Sequence, residues 1–205
     1  MEQLDISKTI KLLEKSKLNF VKSKIVKTPE DAVKAAKELK FPIALKLISK
    51  DILHKSDEGF VEISLQNENE VLNVCNKMIK RYKKRNYQFL IQRMASGFEV
   101  IVGMKKDSQF GNVIIFGLGG IFTEILKDTS LRIAPVDKKE AIEMIKEIKS
   151  FQILNGARGK KPINLSLLAD IISRTSNLKN IEELDFNPII VNENSAVIVD
   201  ARIMI

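Results

Sequence analysis

Tryptophan is absent from this chain, and its 205 residues include one cysteine, one histidine and two tyrosines. A single thiol, Cys75, excludes an internal disulfide framework and a cysteine-built zinc cage, and it implies a reducing, cytoplasmic setting. Cys75 falls at helical spacing with Leu72, Met78 and Ile79, so it reads as core. No apolar run approaches the ~18 residues that cross a bilayer, and the opening MEQLDISK lacks the features of a signal peptide. Membrane partners are therefore not expected. Charge is plentiful instead: 29% of residues are Asp, Glu, Lys or Arg, and 44% are apolar, a balance suited to one domain or two small ones rather than to disorder.

The net charge is +8. Its densest cluster is RYKKR, Arg81–Arg85, at the end of a helix that starts near Glu68. Cations in a last turn complement the helix dipole, so the cluster reads as a solvated helix end. Nucleic acid is the alternative, with Tyr82 and Tyr87 as stacking residues. No recognised nucleic-acid motif accompanies them, and no such partner is expected.

Helices and strands alternate, which predicts an α/β chain of mixed α+β type. Helices are expected over Asp5–Lys17, from a Thr28-Pro29-Glu30-Asp31 start to Leu39, over Asn67–Arg85, from Asp137 to Lys149 and over Leu165–Thr175. Strands are expected around Lys46, over Gln88–Met94, Phe98–Lys105, Asn112–Phe116, Leu131–Pro135 and Phe186–Val191, and over Ala196–Ile203. Ala95-Ser96-Gly97 is the expected hinge. It gives a first sub-domain, 1–95, that carries the N-terminal helix, and a second, 96–205.

Phe41–Phe60, FPIALKLISKDILHKSDEGF, holds the sharpest chemistry. Five of the six residues flanking Lys46 are apolar, so the strand is expected to be buried on both faces. An ammonium there needs an anion, and a phosphate is a natural one. His54 follows, the residue type best able to carry a proton or phosphoryl group near neutral pH. Taken alone, His54 would be an ordinary loop histidine.

Beyond it, GLGGIFTE (Gly117–Glu124) follows a strand, as phosphate-cradling loops do. It is neither a dinucleotide fingerprint nor a P-loop, and by itself it reads as a tight turn. In the last hairpin, a symmetric loop Asn192–Ser195 puts Asn187 opposite Asp200 and Asp185 opposite Arg202. Directly opposed side chains stand close enough for Asn187 and Asp200 to share one hard cation such as Mg²⁺. An Asn–Asp hydrogen bond with an Asp185–Arg202 salt bridge is the equal alternative. The expected inward positions Ile189, Val191, Ala196 and Ile198 place this polar pair at one end of a buried face.

FPIALKLISKDILHKSDEG, GFEVIVGMKKDSQFGNVIIFGLGGIFTEILKD, LRIAPV, LNGARGKKP and ELDFNPIIVNENSAVIVDARI occur in this order. Together they resemble the ATP-grasp β subunits of ADP-forming acetyl-CoA synthetases, and more distantly the β subunits of succinyl-CoA synthetases. The resemblance covers nearly the whole chain from Ile25 onward. It implies an ATP-grasp fold, two α+β sub-domains gripping a nucleotide, with Mg²⁺ and ATP/ADP as cofactor and substrate.

By the same resemblance, Lys46 contacts nucleotide phosphate, Gln92, Arg93 and Met94 lie along the adenine, and Glu99 holds the ribose. Gly119, Gly120 and Glu124 belong to the nucleotide loop, and Asn187 and Asp200 match the magnesium ligands. His54 matches the β-subunit histidine of the His-Lys-Ser-Asp turn, which passes a phosphoryl group to ADP. The implied partner is a separate CoA-binding α subunit in a hetero-oligomer. A catalytically silent nucleotide-binding regulatory or scaffold subunit is the other reading. The chain departs from the family at Phe60, where glycine is usual.

Overall fold

In the computed structural model, residues 2–49, 52, 59–119, 128–156 and 161–205 are described. Helix starts follow local chemistry, because a short polar side chain takes a backbone N–H that the first turn leaves unsatisfied. Asp5 accepts from Lys8 N (2.9 Å) ahead of α1 (Ile6–Lys15). Thr28 accepts from Asp31 N (3.1 Å) ahead of α2 (Pro29–Leu39). Asn67 accepts from Glu70 N (3.0 Å) ahead of α3 (Glu68–Tyr82), and Asp137 from Glu140 N (2.8 Å) ahead of α4 (Lys138–Glu147). A short α5 (Phe151–Leu154) precedes α6 (Leu165–Ser176), which is capped by Asn164. Helix α3 stops at Tyr82, three residues before the expected Arg85, because Lys83 adopts a left-handed φ of 58°.

The chain divides into two units, Val21–Ala95 and Met1–Phe20 with Ser96–Ile205. In the smaller unit, β1 (Ser23–Val26), β2 (Ile43–Ile48), β3 (Val61–Leu65) and β4 (Gln88–Arg93) form an antiparallel sheet in the order β1-β4-β2-β3. Ile43, Leu45, Leu47, Phe89 and Ile91 pack with Ala32, Ala35, Val71, Cys75 and Met78 of α2 and α3. Ala44, Lys46, Ile48, Leu90 and Gln92 alternate onto the other face and are buried as well. The edge strands β1 and β3 were not expected. Their residues are mostly half-buried or exposed, so their sequences lack an apolar run.

The larger unit is a six-stranded antiparallel sheet of β5 (Phe98–Asp107), β6 (Gly111–Leu118), β7 (Thr129–Ile133), β8 (Glu183–Val191), β9 (Ala196–Ile198) and β10 (Ala201–Met204). Its order is β10-β8-β5-β6-β7, and β9 also pairs with β8. On its inner face Val100, Val102, Met104, Ile114, Phe116 and Phe186 share a core with Ala141, Met144, Leu168 and Ile172 of α4 and α6.

One expectation is corrected here. The N-terminal helix, expected with residues 1–95, packs on this larger unit. Leu13 and Leu18 enter its core, and Leu4 N donates to Ile203 O at 2.9 Å. Burying each leucine is worth roughly 1.5–3 kcal/mol. Backbone pairing between opposite ends of a chain leaves no local mark in the sequence.

Candidate functional site

Strand β8 meets its hairpin partners in the expected register: Val191 pairs with Ala196, Ile189 with Ile198, Phe186 with Ala201, and Asp185 with Arg202. Asn187 and Asp200 fall between these pairs, in the gap between β9 and β10, and so lie opposite one another. Regular alternation, however, predicted that Asn187 shares the buried face of Ile189 and Val191, and it does not. The pairing of β5 with β8 shifts between Val100 and Val102, and Phe186 and Ile189 are both buried while Asn187 is exposed. An extra residue in one strand turns the chain over, as a bulge does. Asn187 therefore joins Asp185 on the outer face, opposite the helices.

That same face carries Glu99. It is exposed on β5, pairs with Ile190 of β8, and its carbonyl accepts from Gly119 N at 2.7 Å. A Cβ added at Gly119 would meet the Glu99 carbonyl carbon, carbonyl oxygen and Cβ, all at 3.0 Å, so a larger residue would force this backbone contact to open by a few tenths of an ångström. Gly119 is thus held against Glu99. Further along the chain, the Asp128 carboxylate accepts from Lys149 N (2.8 Å) and Ser150 N (2.7 Å). Partial desolvation raises the pKa of Asp128, but these hydrogen bonds outweigh it and leave the carboxyl below its usual range. Gly120 and Glu124 lie outside the described residues, as does His54.

The hairpin carboxylates feel one another. Protein packed round Asp185 desolvates its carboxyl and raises its pKa, Asp200 raises it further, and Arg202 opposes both. This is a locus of negative charge that a divalent cation would relieve. One Asp200 oxygen accepts from Ala201 N at 3.0 Å. Among the described residues no three His, Cys, Asp or Glu side chains converge as a metal cage. Carboxylate and amide oxygens few in number fit Mg²⁺, which keeps most of its positions for water and phosphate. Asp185 is the member that sequence reasoning assigned elsewhere, to a salt bridge. Its i, i+2 spacing from Asn187 was the available signal.

In the smaller unit, Lys46 is 5% exposed in the middle of β2, as expected. Gln92 of β4 pairs with Ala44 and is fully buried on the same face, diagonal to Lys46. The chain then leaves the sheet edge held by backbone hydrogen bonds from Arg93 N to Lys22 O (2.9 Å) and from Met94 N to Pro42 O (3.3 Å). Arg93 is exposed and Met94 half-buried. The structure therefore gathers Lys46 with Gln92 in one unit, and Glu99, Gly119, Asn187 and Asp200 in the other. A cleft of about 800 Å³ in the larger unit, lined by Lys106, Asn112, Ser176, Asn177 and Glu182, contains none of these residues. Cys75 is fully buried, and its thiol is pushed up to about 12 by desolvation, so it is inert core.

The whole sequence, residues 1–205, matches a family described as the ATP-grasp domain. It is similar to the β subunit of acetate–CoA ligase (ADP-forming) I of Pyrococcus furiosus, with 45% identity over 194 residues, 89% of this chain and 83% of that one. Acetate–CoA ligase (ADP-forming) II of Archaeoglobus fulgidus is 39% identical over 197 residues, which are 95% of this chain but only 29% of that protein.

Among solved structures, the dinucleotide-forming acetyl-coenzyme A synthetase 1 of Ca. Korarchaeum cryptofilum, in complex with coenzyme A and Ca-AMPCP, aligns with a TM-score of 0.93. The identity is 31%, covering 100% of this chain and 93% of that one. A second structure of that enzyme, with Mg-AMPPCP and its phosphohistidine segment pointing towards the nucleotide-binding site, aligns with a TM-score of 0.86 at 31% identity. It covers 99% of this chain and 92% of that one. Among the described residues no helix is long and apolar enough to cross a membrane.

Proposed function

We propose, because this chain belongs to the ATP-grasp domain family, that it is the nucleotide-binding β subunit of an ADP-forming acyl-CoA synthetase. It is an acid–thiol ligase of the acetate–CoA ligase (ADP-forming) type, with ATP/ADP as substrate and Mg²⁺ as metal. The reaction is acyl-CoA + ADP + phosphate giving acid + ATP + CoA, in either direction. The observation that supports this reading is the outer face of the six-stranded sheet, which carries Glu99 and Asn187, with Gly119 hydrogen-bonded to Glu99 and Asp200 opposite Asn187 in register.

The roles we assign are those that the family resemblance implies for these positions. Lys46 neutralises nucleotide phosphate, with Gln92, Arg93 and Met94 along the adenine and Glu99 on the ribose. Gly119 and Gly120 offer backbone amides, and Glu124 closes the loop sequence. Asn187 and Asp200 would hold Mg²⁺, which supplies positive charge to the phosphate oxygens. His54 carries the phosphoryl group. In the direction of ATP synthesis, a β-phosphate oxygen of ADP attacks the phosphorus of phosphohistidine. The new P–O bond forms as the N–P bond breaks, and the released imidazole nitrogen takes a proton from solvent. In reverse, the imidazole attacks the γ-phosphorus of ATP, and ADP leaves with the bridging oxygen.

We assign acid and CoA recognition to a separate CoA-binding α subunit, in a cytoplasmic hetero-oligomer. Two facts support this. The Pyrococcus relative is itself a β subunit. The Archaeoglobus relative is more than three times as long as the matching part, leaving ample chain for the remaining chemistry.

The test uses the single histidine. [γ-³²P]ATP with Mg²⁺ is expected to place an acid-labile, base-stable label on this chain. His54→Ala should abolish the label with MgADP binding nearly unchanged. Label persisting in His54→Ala, or turnover at the wild-type rate with the α subunit, would remove His54 from the relay.

A further inference from the structure

Arg81 and Tyr82 end helix α3, in a cluster that by sequence is a solvated helix end. The cluster is exposed as expected apart from Tyr82, which is half-buried, and Arg81 and Tyr82 also reach the residues that flank the His54 segment. Tyr82 donates its hydroxyl hydrogen to Ser49 Oγ at 2.6 Å, on the residue just after β2. The same ring meets Phe60, just before β3, edge to face, with centroids 5.8 Å apart and planes at 89°. Arg81 lies over the other partner of this contact, its Cζ 6.0 Å from the Phe60 centroid.

Gly59 has a φ of 70°, and a Cβ there would stand 3.0 Å from the Arg81 guanidinium, so the chain passes directly beneath it. Behind Tyr82 the stack continues through Tyr87 to Phe89, at centroid separations of 6.1 and 5.4 Å. Phe89 is fully buried, and Phe60 is 4% exposed. Within the stretch itself, Ile52 is 5% exposed and its N–H donates to Ser49 O at 3.3 Å. Phe60 O in turn accepts from Leu47 N at 2.9 Å.

One side chain thus holds both flanks of the segment that carries His54. Ser49 and Phe60 are joined through Tyr82 to a helix whose Val71, Cys75 and Met78 are in the core. Only six residues separate Ile52 from Gly59, and His54 is among them. Phosphoryl transfer needs the imidazole nitrogen in line with the scissile bond. A displacement of about 1 Å can cost on the order of 100-fold in rate. We propose that Tyr82, braced by Arg81 and Phe60, is a positioning residue for phosphoryl transfer at His54: it fixes Ser49 and Phe60, described residues on either side of the histidine-bearing segment. The inference rests on the reading of His54 given above. It assigns no contact between Tyr82 and nucleotide.

The test compares initial labelling rates of the full-length chain with Mg²⁺ and [γ-³²P]ATP. Tyr82→Phe keeps the ring stack and removes only the hydroxyl. It is expected to slow labelling of His54 by about tenfold, with MgADP affinity and melting temperature unchanged, a split that a merely structural role would not produce. Ser49→Ala should do the same, and the double variant should be no slower than either single one, because both remove the same bond. Hydrogen exchange in the peptide spanning residues 49–60 should quicken in Tyr82→Phe.

Wild-type labelling rates in Tyr82→Phe, unchanged exchange, or single effects that multiply in the double variant would each overturn the proposal. A wild-type chain that takes no label would overturn the reading of His54, and the positioning role with it. The two failures are distinguished by whether the wild type is labelled at all.

Discussion

In the four-stranded sheet the key charge is enclosed: Lys46 is 5% exposed in a strand whose six residues are all buried. In the six-stranded sheet Glu99, Asp185 and Asn187 stand exposed on the face opposite the helices. The difference is one of cost. Moving an ammonium out of water costs several kcal/mol unless it is paired. A carboxylate on an exposed face, such as that of Glu99, keeps its hydration until a hard cation exchanges water for it, whereas that of Asp185 is already partly desolvated by the protein packed round it. In the function proposed above, the first sheet would receive the negative charge of nucleotide phosphate and the second would share a cation with it.

The largest effect expected from breaking this contrast is at Lys46. Lys46→Met keeps the length and apolar volume of the side chain, so cooperative unfolding should persist, whereas MgADP affinity should fall by about 100-fold, the scale of a lost charge-assisted phosphate contact. Titration calorimetry beside a melting curve separates the two. An unchanged affinity would mean that the enclosed lysine serves the core alone.

Asp200→Asn comes next. The shape is kept and one charge is lost on the exposed face, so the melting temperature should hardly move and Mg²⁺-dependent nucleotide affinity should drop by about tenfold. Equal MgADP affinity in the variant would take Asp200 out of the metal site.

The smallest effect sharpens the comparison through pH. Asp185 has a pKa raised by desolvation and by Asp200, so its ionised form is unfavourable in the folded chain. Its contribution to stability is present in full below the unfolded pKa and is lost as pH rises through the folded one. Asp185→Asn removes that loss. At neutral pH the variant should melt slightly higher, by no more than about 0.5 kcal/mol in stability. The gain should vanish as acid protonates the wild-type carboxyl. A lower melting temperature at neutral pH would show that pairing with Arg202 outweighs repulsion from Asp200.

Much of this was legible along the chain. The hydroxyl of Thr28 and the carboxylate of Asp137 announce their helices because a cap needs only a donor three residues away. The apolar strand around Lys46 stands out because six consecutive buried positions tolerate little else. The pairing of Asp185 with Arg202 follows from the length of the Asn192–Ser195 loop, since a short loop fixes register. Strand β1 was not legible, because an edge strand draws its pairing from its neighbour and needs no apolar pattern of its own; β3 was missed although Val61, Ile63 and Leu65 alternate with Glu62 and Ser64.

By itself, the sequence determined the long helices and the apolar strands, the order of the motifs, the hairpin register and the residue types available for phosphate and metal chemistry. Each of these depends on neighbours within a few residues. The tertiary structure alone decided three further matters. It seated α1 on the unit at the far end of the chain, through the pairing of Leu4 with Ile203. It turned Asn187 from the buried to the exposed face, because β5 and β8 differ by one residue where they pair. It drew Arg81 and Tyr82 from a helix end onto Ser49, Gly59 and Phe60. In each case the deciding contact joins residues at least twenty positions apart, and a local pattern carries no record of a partner at that distance.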